Sequence, residues 1–85
     1  MSIGLSVAKD WLELAPTAFF AAAKQLNFRE REVLRRRLGI GLTKPRTLRE
    51  IAKAFDVSVS RIRQTERKAC FHMYQLMRET VNLRR

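Results

Sequence analysis

The spacing of apolar and polar residues predicts an all-α chain, and it is most informative between residues 47 and 68. There, two short amphipathic helices are predicted on either side of a tight corner. Apolar residues recur at helical spacing in the first of them, at Leu48, Ile51, Ala52 and Phe55. The next residues break the pattern, and Ser58 can cap a second helix. The arrangement is typical of a helix-turn-helix, whose second helix enters the DNA major groove.

The second helix divides its residues between an apolar inner face and a basic outer face. The residues expected to point inward are Ile62, Ala69 and Met73. The residues expected to point outward are Arg61, Arg63, Gln64, Arg67 and Lys68. Arg and Gln suit bidentate contacts with guanine and adenine edges. A basic run can also be an ordinary solvated face, and helical spacing alone leaves both interpretations open.

Upstream of the helix-turn-helix, capping residues mark one further helix. Asn27 is suited to be its N-cap, Glu30 completes a capping box, and Gly39 is a helix terminator. Residues 39–46 hold two glycines and a proline, so they are predicted to form a loop. On this helix, core contacts are expected from Phe28, Val33, Leu34 and Leu38. The side chains expected to lie largely outside are Arg29, Arg31, Arg35, Arg36 and Arg37.

Two shorter helices are predicted ahead of it. Residues 6–14 form the first, the pattern breaks near Ala15, and Pro16 suits the first turn of a second helix over residues 16–25. Three aromatic residues of this segment are either plain core or a surface for a partner protein, namely Trp11, Phe19 and Phe20.

The helix that follows Ser58 is predicted to be long, because no glycine or proline interrupts the chain beyond it. It is expected to reach about Thr80. The two ends of the chain, residues 1–5 and 81–85, are expected to be loose. The predicted fold is therefore a small all-α domain of four to five helices with a helix-turn-helix.

Charge divides the chain into two parts. The 85 residues include 18 Lys and Arg against 8 Asp and Glu, a formal net charge of +10. Residues 1–25 carry two basic and two acidic side chains, so the whole surplus lies in residues 26–85. We therefore distinguish an N-terminal helical extension from a cationic domain at this boundary. Such a localised surplus is typical of nucleic-acid binding, although an acidic protein or a membrane surface could also attract it. A membrane partner is disfavoured, because the basic residues are interleaved with a core pattern.

Several functional classes are disfavoured by what the sequence lacks. No stretch is long and apolar enough to span a bilayer, and the N-terminus does not resemble a signal peptide. With one cysteine and one histidine, no disulfide, metal site or catalytic constellation is expected, and Cys70 is expected to be a small core residue. The sequence predicts a non-enzymatic protein without a cofactor, in the cytoplasm and associated with the nucleoid.

Five motifs together resemble one known family. They are Leu-x-x-Arg-Glu, Arg-x-Arg-Leu-Gly-Ile, Thr-Leu-x-Glu-Ile, Phe-x-Val-Ser and Arg-Ile-Arg-Gln-x-Glu. They occupy residues 26–30, 35–40, 47–51, 55–58 and 61–66. The combination resembles region 4 of the primary-type bacterial sigma factors and covers roughly residues 26–70. Generic helix-turn-helix repressors do not carry it.

The resemblance implies a four-helix domain that binds the −35 promoter element and the flap of the RNA polymerase β subunit. By position in the family motif, the resemblance assigns base contacts to Arg61, Arg63 and Gln64, with Ser60 beside them. It assigns phosphate contacts to Arg29, Arg37, Thr47, Arg49 and Lys68. This follows the general division between phosphate contacts, which position a protein, and base contacts, which specify sequence.

Two departures from the family pattern change the expectation. An Arg-Glu pair usually precedes the Arg-Ile-Arg-Gln motif, and Val59-Ser60 stands in its place. Because Glu can accept from a cytosine amino group, preference for the usual −35 sequence is expected to be relaxed or altered. Further along, Phe71 and Tyr74 replace residues that are usually Arg. The candidates for partner binding are Phe71, Tyr74, Met77 and Trp11. The first three either form an exposed ridge or pack on the N-terminal helices.

The sequence is also short for a sigma factor. It holds no region that recognises the −10 element or melts DNA, so the chain is either an excised domain or a stand-alone protein. The unfamiliar N-terminal segment favours the latter, and a second regulatory protein would then supply −10 recognition. The alternative is an adaptor or sigma-domain mimic that binds polymerase without specific DNA reading.

Overall fold

The computed structural model describes the backbone of residues 4–83 and the side chains of residues 4–79. Within that range the chain forms α-helices and no strand, which confirms the all-α prediction. The helices are α1 (Leu5–Leu14), α2 (Pro16–Ala23), α3 (Phe28–Leu38), α4 (Leu48–Phe55) and α5 (Val59–Leu83). None of these helices is both long and apolar enough to cross a membrane.

The helix bounds differ from the predicted ones mainly near the chain ends. Helix α1 already begins at Leu5, because Gly4 takes the extended N-cap conformation. Helix α2 ends at Ala23, two residues early, and a turn leads into α3. Helix α5 continues to Leu83, beyond the predicted end near Thr80, since nothing in its sequence breaks it. The predicted loose residues 1–3 and 84–85 lie outside the described part of the chain.

Two apolar clusters pack the helices around α5. The smaller joins α3 and α4 to the start of α5 and consists of Val33, Ile51, Ala52 and Ile62. The larger joins α1, α2 and α3 to the rest of α5, and its fully buried members include Ala8, Phe19, Leu34, Ala69 and Met73. The N-terminal extension is therefore part of the hydrophobic core, where α1 and α2 bury the apolar face of the second half of α5.

The observed burial differs from the prediction at one expected core residue and at several arginines. Phe28 is 65% exposed, because it opens α3 and lies about 140° around the helix axis from the buried Val33. Of the three aromatic residues of the extension, Phe19 is buried, Trp11 is half-buried and Phe20 is 44% exposed. Four arginines predicted to lie outside are instead half-buried, namely Arg31, Arg35, Arg36 and Arg37.

Candidate nucleic-acid interface

The corner between α4 and α5 is built by local hydrogen bonds. At the start of α4, the Thr47 hydroxyl accepts from the Glu50 amide at 3.1 Å, and the Glu50 carboxylate accepts from the Thr47 amide at 3.0 Å. Helix α4 ends at Asp56 in the left-handed conformation, with φ 57°. The Ser58 hydroxyl then accepts from the Arg61 amide at 3.1 Å and caps α5. These bonds set the helix-turn-helix geometry.

Helix α5 carries a continuous basic outer face. Its inner residues Ile62, Ala69 and Met73 are fully buried, as predicted. Its exposed residues in the first three turns are Ser60, Arg61, Arg63, Gln64, Arg67 and Lys68. The four basic side chains among them have no acidic partner within the described residues. The face can therefore donate hydrogen bonds to DNA without first breaking an ion pair.

A polar cleft of about 370 Å³ lies between the N-terminus of α3 and the first turns of α5. Arg29, Arg61, Gln64 and Lys68 are among the residues that line it. Three cations and a helix N-terminus thus converge in one concave surface, and both features favour a phosphate. Arg49 and Thr47 are exposed separately at the start of α4. The Thr47 hydroxyl acts as an acceptor in its cap, so its own proton remains available to a phosphate oxygen.

Arg37 differs from the other predicted phosphate ligands. Its Nε donates to Glu66 at 2.5 Å and a terminal nitrogen donates to the Arg46 carbonyl at 3.0 Å. The guanidinium is therefore engaged within the protein, in a link between α3, α5 and the preceding loop. This contact disfavours the assignment of Arg37 to DNA, which followed from position in the motif alone.

The three residues of the predicted partner-binding ridge differ in their burial. Met77 is buried, so it belongs to the core. Tyr74 is half-buried and stacks on Trp11, with ring centroids 6.2 Å apart. Phe71 is 51% exposed. Positions 71 and 77 lie about 120° apart around a helix, whereas Met77 lies only about 40° from the buried Met73, so Met77 turns inward while Phe71 faces solvent.

Two polar residues connect α3 to α5 in a way that the sequence did not reveal. The buried Glu30 carboxylate accepts from the Asn27 amide, and its other oxygen lies 2.8 Å from Nδ1 of His72. The contact between Glu30 and the Asn27 amide could be predicted from the capping-box pattern. The contact with His72 could not, because His72 is distant along the chain. Nearby Cys70 is buried, and desolvation, helped by the Glu66 charge, raises the pKa of its thiol to about 11. Cys70 is a neutral core residue at pH 7.

Comparison with known proteins identifies the domain. A family model described as Sigma-70, region 4 matches residues 22–81. The chain belongs to the sigma-70 region 4 family. The matched residues contain α3, α4 and nearly all of α5, whereas α1 and most of α2 lie outside them. The family is one of non-enzymatic, DNA-binding transcription factors.

One curated relative of this sigma-70 region 4 domain is an RNA polymerase sigma-28 factor of Bacillus thuringiensis subsp. kurstaki. The two are 45% identical over 49 residues, which make up 58% of this chain and 21% of the relative. The chain thus spans about one fifth of the length of that relative. No solved structure matches the chain.

Proposed function

We propose that this domain binds the −35 element of bacterial promoters through the outer face of α5 while contacting the flap of the RNA polymerase β subunit. The observation that carries the proposal is the exposure of Arg61, Arg63 and Gln64 on a capped helix, free of acidic partners among the described residues. Family membership supports both contacts.

Base reading and phosphate binding are assigned to different residues. Arg61, Arg63, Gln64 and Ser60 face the major groove, and the phosphate ligands are Arg29, Thr47, Arg49 and Lys68. Ser60 stands where the family pattern has Glu, and it provides a weaker acceptor for cytosine. Preference for the usual −35 sequence is accordingly relaxed or altered. In this proposal a second regulatory protein takes part and recognises the −10 element.

A second surface suits the polymerase. An apolar cleft of about 180 Å³ lies between α2 and α3, where Phe19, Phe20, Leu34 and Ile40 line it together with basic residues that include Arg31. Such a cleft fits an apolar side chain from an acidic segment of a partner. Arg31 lies about 160° around α3 from Arg29. DNA and polymerase can therefore occupy opposite sides of the domain.

The proposal is tested with purified core polymerase and a promoter fragment. The tagged protein should retain polymerase and, with a suitable −10-recognising partner, protect DNA near −35. The triple variant Arg61→Ala/Arg63→Ala/Gln64→Ala should lose the footprint but retain polymerase, because all three side chains are exposed. Failure of the wild-type protein to retain polymerase would remove the polymerase half of the proposal.

A separate pair of variants tests whether the apolar cleft contacts the polymerase. Phe20→Asp places a charge in the cleft at a position that is 44% exposed, and it should abolish polymerase retention. Leu14→Asp is the matched control, since Leu14 is 85% exposed and does not line the cleft. Equal retention by both variants would place the polymerase contact elsewhere.

A second candidate function is an adaptor that binds polymerase without reading DNA. It is favoured by the exposure of Phe71, one turn beyond the basic residues of α5. In that case Phe71→Ala should abolish polymerase retention, and the wild-type protein should show no preference among duplex sequences.

A further inference from the structure

Two arginines of α3 share one aromatic ring of α4. The guanidinium carbon of Arg29 lies over the Phe55 ring, 4.9 Å from the ring centroid. The guanidinium carbon of Arg36 lies 5.0 Å from the same centroid. Phe55 is half-buried and packs against the smaller apolar cluster, so its ring is fixed by the core. Arg36 is also held by Glu32, with its Nε 3.5 Å from a carboxylate oxygen. Arg29 has no ion-pair partner among the described residues, so the ring is its principal contact.

The position of Arg29 is electrostatically unfavourable in the free protein. It is the second residue of α3, where the helix dipole is positive, and it lines the cleft that also contains Arg61 and Lys68. The nearby Glu30 carboxylate is occupied by the helix cap and by His72. An unrestrained Arg29 side chain would move away from these positive charges. Attraction to the face of an aromatic ring opposes that movement.

An aromatic ring and a carboxylate hold a guanidinium in different ways. The five N–H donors of arginine lie in the guanidinium plane, and contact with the face of an aromatic ring leaves them free. A carboxylate would occupy the donors and neutralise the charge, as Glu66 does for Arg37. Arg29 is therefore oriented without losing its capacity to bind an anion.

We propose that Phe55 is a positioning residue for DNA binding, whose ring holds Arg29 at the mouth of the cleft with its donors directed to a backbone phosphate. This rests on the proposed DNA-binding function and adds to it a residue that touches no DNA. It also assigns a role to the aromatic character of Phe55, beyond its apolar volume.

The test is a double-mutant cycle between Phe55 and Arg29, measured as duplex affinity over a series of salt concentrations. Phe55→Leu keeps apolar volume without the ring, and it should weaken binding roughly two- to fivefold, for specific and nonspecific duplexes alike. Phe55→Tyr keeps the ring and should restore wild-type affinity. In the Arg29→Ala background, Phe55→Leu should have no further effect on affinity.

A purely structural role for Phe55 predicts a different outcome. Phe55→Leu would then weaken binding equally with and without Arg29, and that result would overturn the inference. Should Phe55→Leu not fold, NMR of the wild-type protein decides, because the ring must shift the Arg29 side-chain protons upfield. Absence of that shift also overturns it. Failure of the wild-type protein to bind duplex DNA would instead overturn the DNA-binding function itself, together with this inference.

Discussion

The guanidinium of Arg37 donates to the Glu66 carboxylate at 2.5 Å, which ties α3 to α5 between residues 29 positions apart. The side chains are 24% and 16% exposed, so the pair is largely shielded from solvent. The same guanidinium supports the loop before α4 through the Arg46 carbonyl. Arg37 thus holds the body of the domain against the helix that we assign to DNA.

Arg37→Ala is expected to act on stability rather than on DNA binding. It should lower the free energy of unfolding by about 1–3 kcal/mol, because it leaves the Glu66 carboxylate and the Arg46 carbonyl without this donor. Urea denaturation measures the loss. At temperatures where the variant is folded, the salt dependence of its duplex affinity should equal that of the wild-type protein.

Arg49→Ala is the matched control, because Arg49 is exposed. It should change stability by less than about 0.5 kcal/mol. It should also reduce the log–log salt slope of DNA binding by roughly 0.9, the value for one phosphate contact. If Arg37→Ala instead had wild-type stability and a reduced salt slope, Arg37 would be a phosphate ligand after all.

Interactions between residues close in sequence could be predicted from the sequence. The two capping boxes at Asn27 and Thr47 and the cap at Ser58 form as predicted. So does the helix end at Gly39, with φ +78°. Each of these interactions spans only three to five residues, so the pattern contains both partners. The all-α fold and the helix-turn-helix follow from them.

Contacts between distant residues could not be predicted in this way. Glu66 and Arg37 lie on different helices, and nothing in either local pattern pairs them. The burial of Met77 depends on α1 and α2, which cover the second half of α5. The aromatic contact of Phe55 with Arg29 likewise requires the packing of α4 on α3. A family motif records which residue types recur, and it does not record whether a side chain faces DNA or the protein.

Gly39 is required by both its backbone conformation and its surroundings. A Cβ atom at Gly39 would lie 2.9 Å from the Pro45 nitrogen and 3.1 Å from the Lys44 carbonyl carbon. Gly39→Ala should therefore destabilise the protein by about 2–5 kcal/mol, from left-handed strain together with overpacking against backbone. Thermal and urea denaturation measure the effect.

Gly41 provides the comparison for Gly39. It has φ +73°, and a Cβ there would meet only an Arg35 nitrogen, at 3.8 Å. Gly41→Ala should cost about 1–2 kcal/mol, the strain alone. Equal losses for the two variants would show that the contact with Pro45 contributes nothing.

Stability should fall in acid partly because of Glu32. The hydrogen bond from Arg35 holds the pKa of the Glu32 carboxyl below its ordinary value of 4.5, and Arg36 acts in the same direction. The unfolded chain therefore binds more protons near pH 4.5. The stabilisation is present above that pH and is lost as the pH falls through the lower, folded pKa. Glu32→Gln should be less stable than the wild-type protein at pH 7, and the difference should shrink below pH 4.5. A difference that is constant from pH 7 to acid would exclude this role.

Arg63 and Lys68 should affect DNA binding in different ways, although both are exposed on α5. Arg63→Ala should cost about 1–3 kcal/mol on the preferred duplex and reduce the difference between preferred and unrelated sequences, because arginine reads base edges. Lys68 lines the cleft near the N-terminus of α3, so Lys68→Ala should weaken binding to all duplexes alike and reduce the salt slope by roughly 0.9. Fluorescence anisotropy on two duplexes over a salt series separates the effects. If both variants lost affinity without any change in sequence preference, α5 would bind only the backbone, and the assignment of base reading to Arg63 would be wrong.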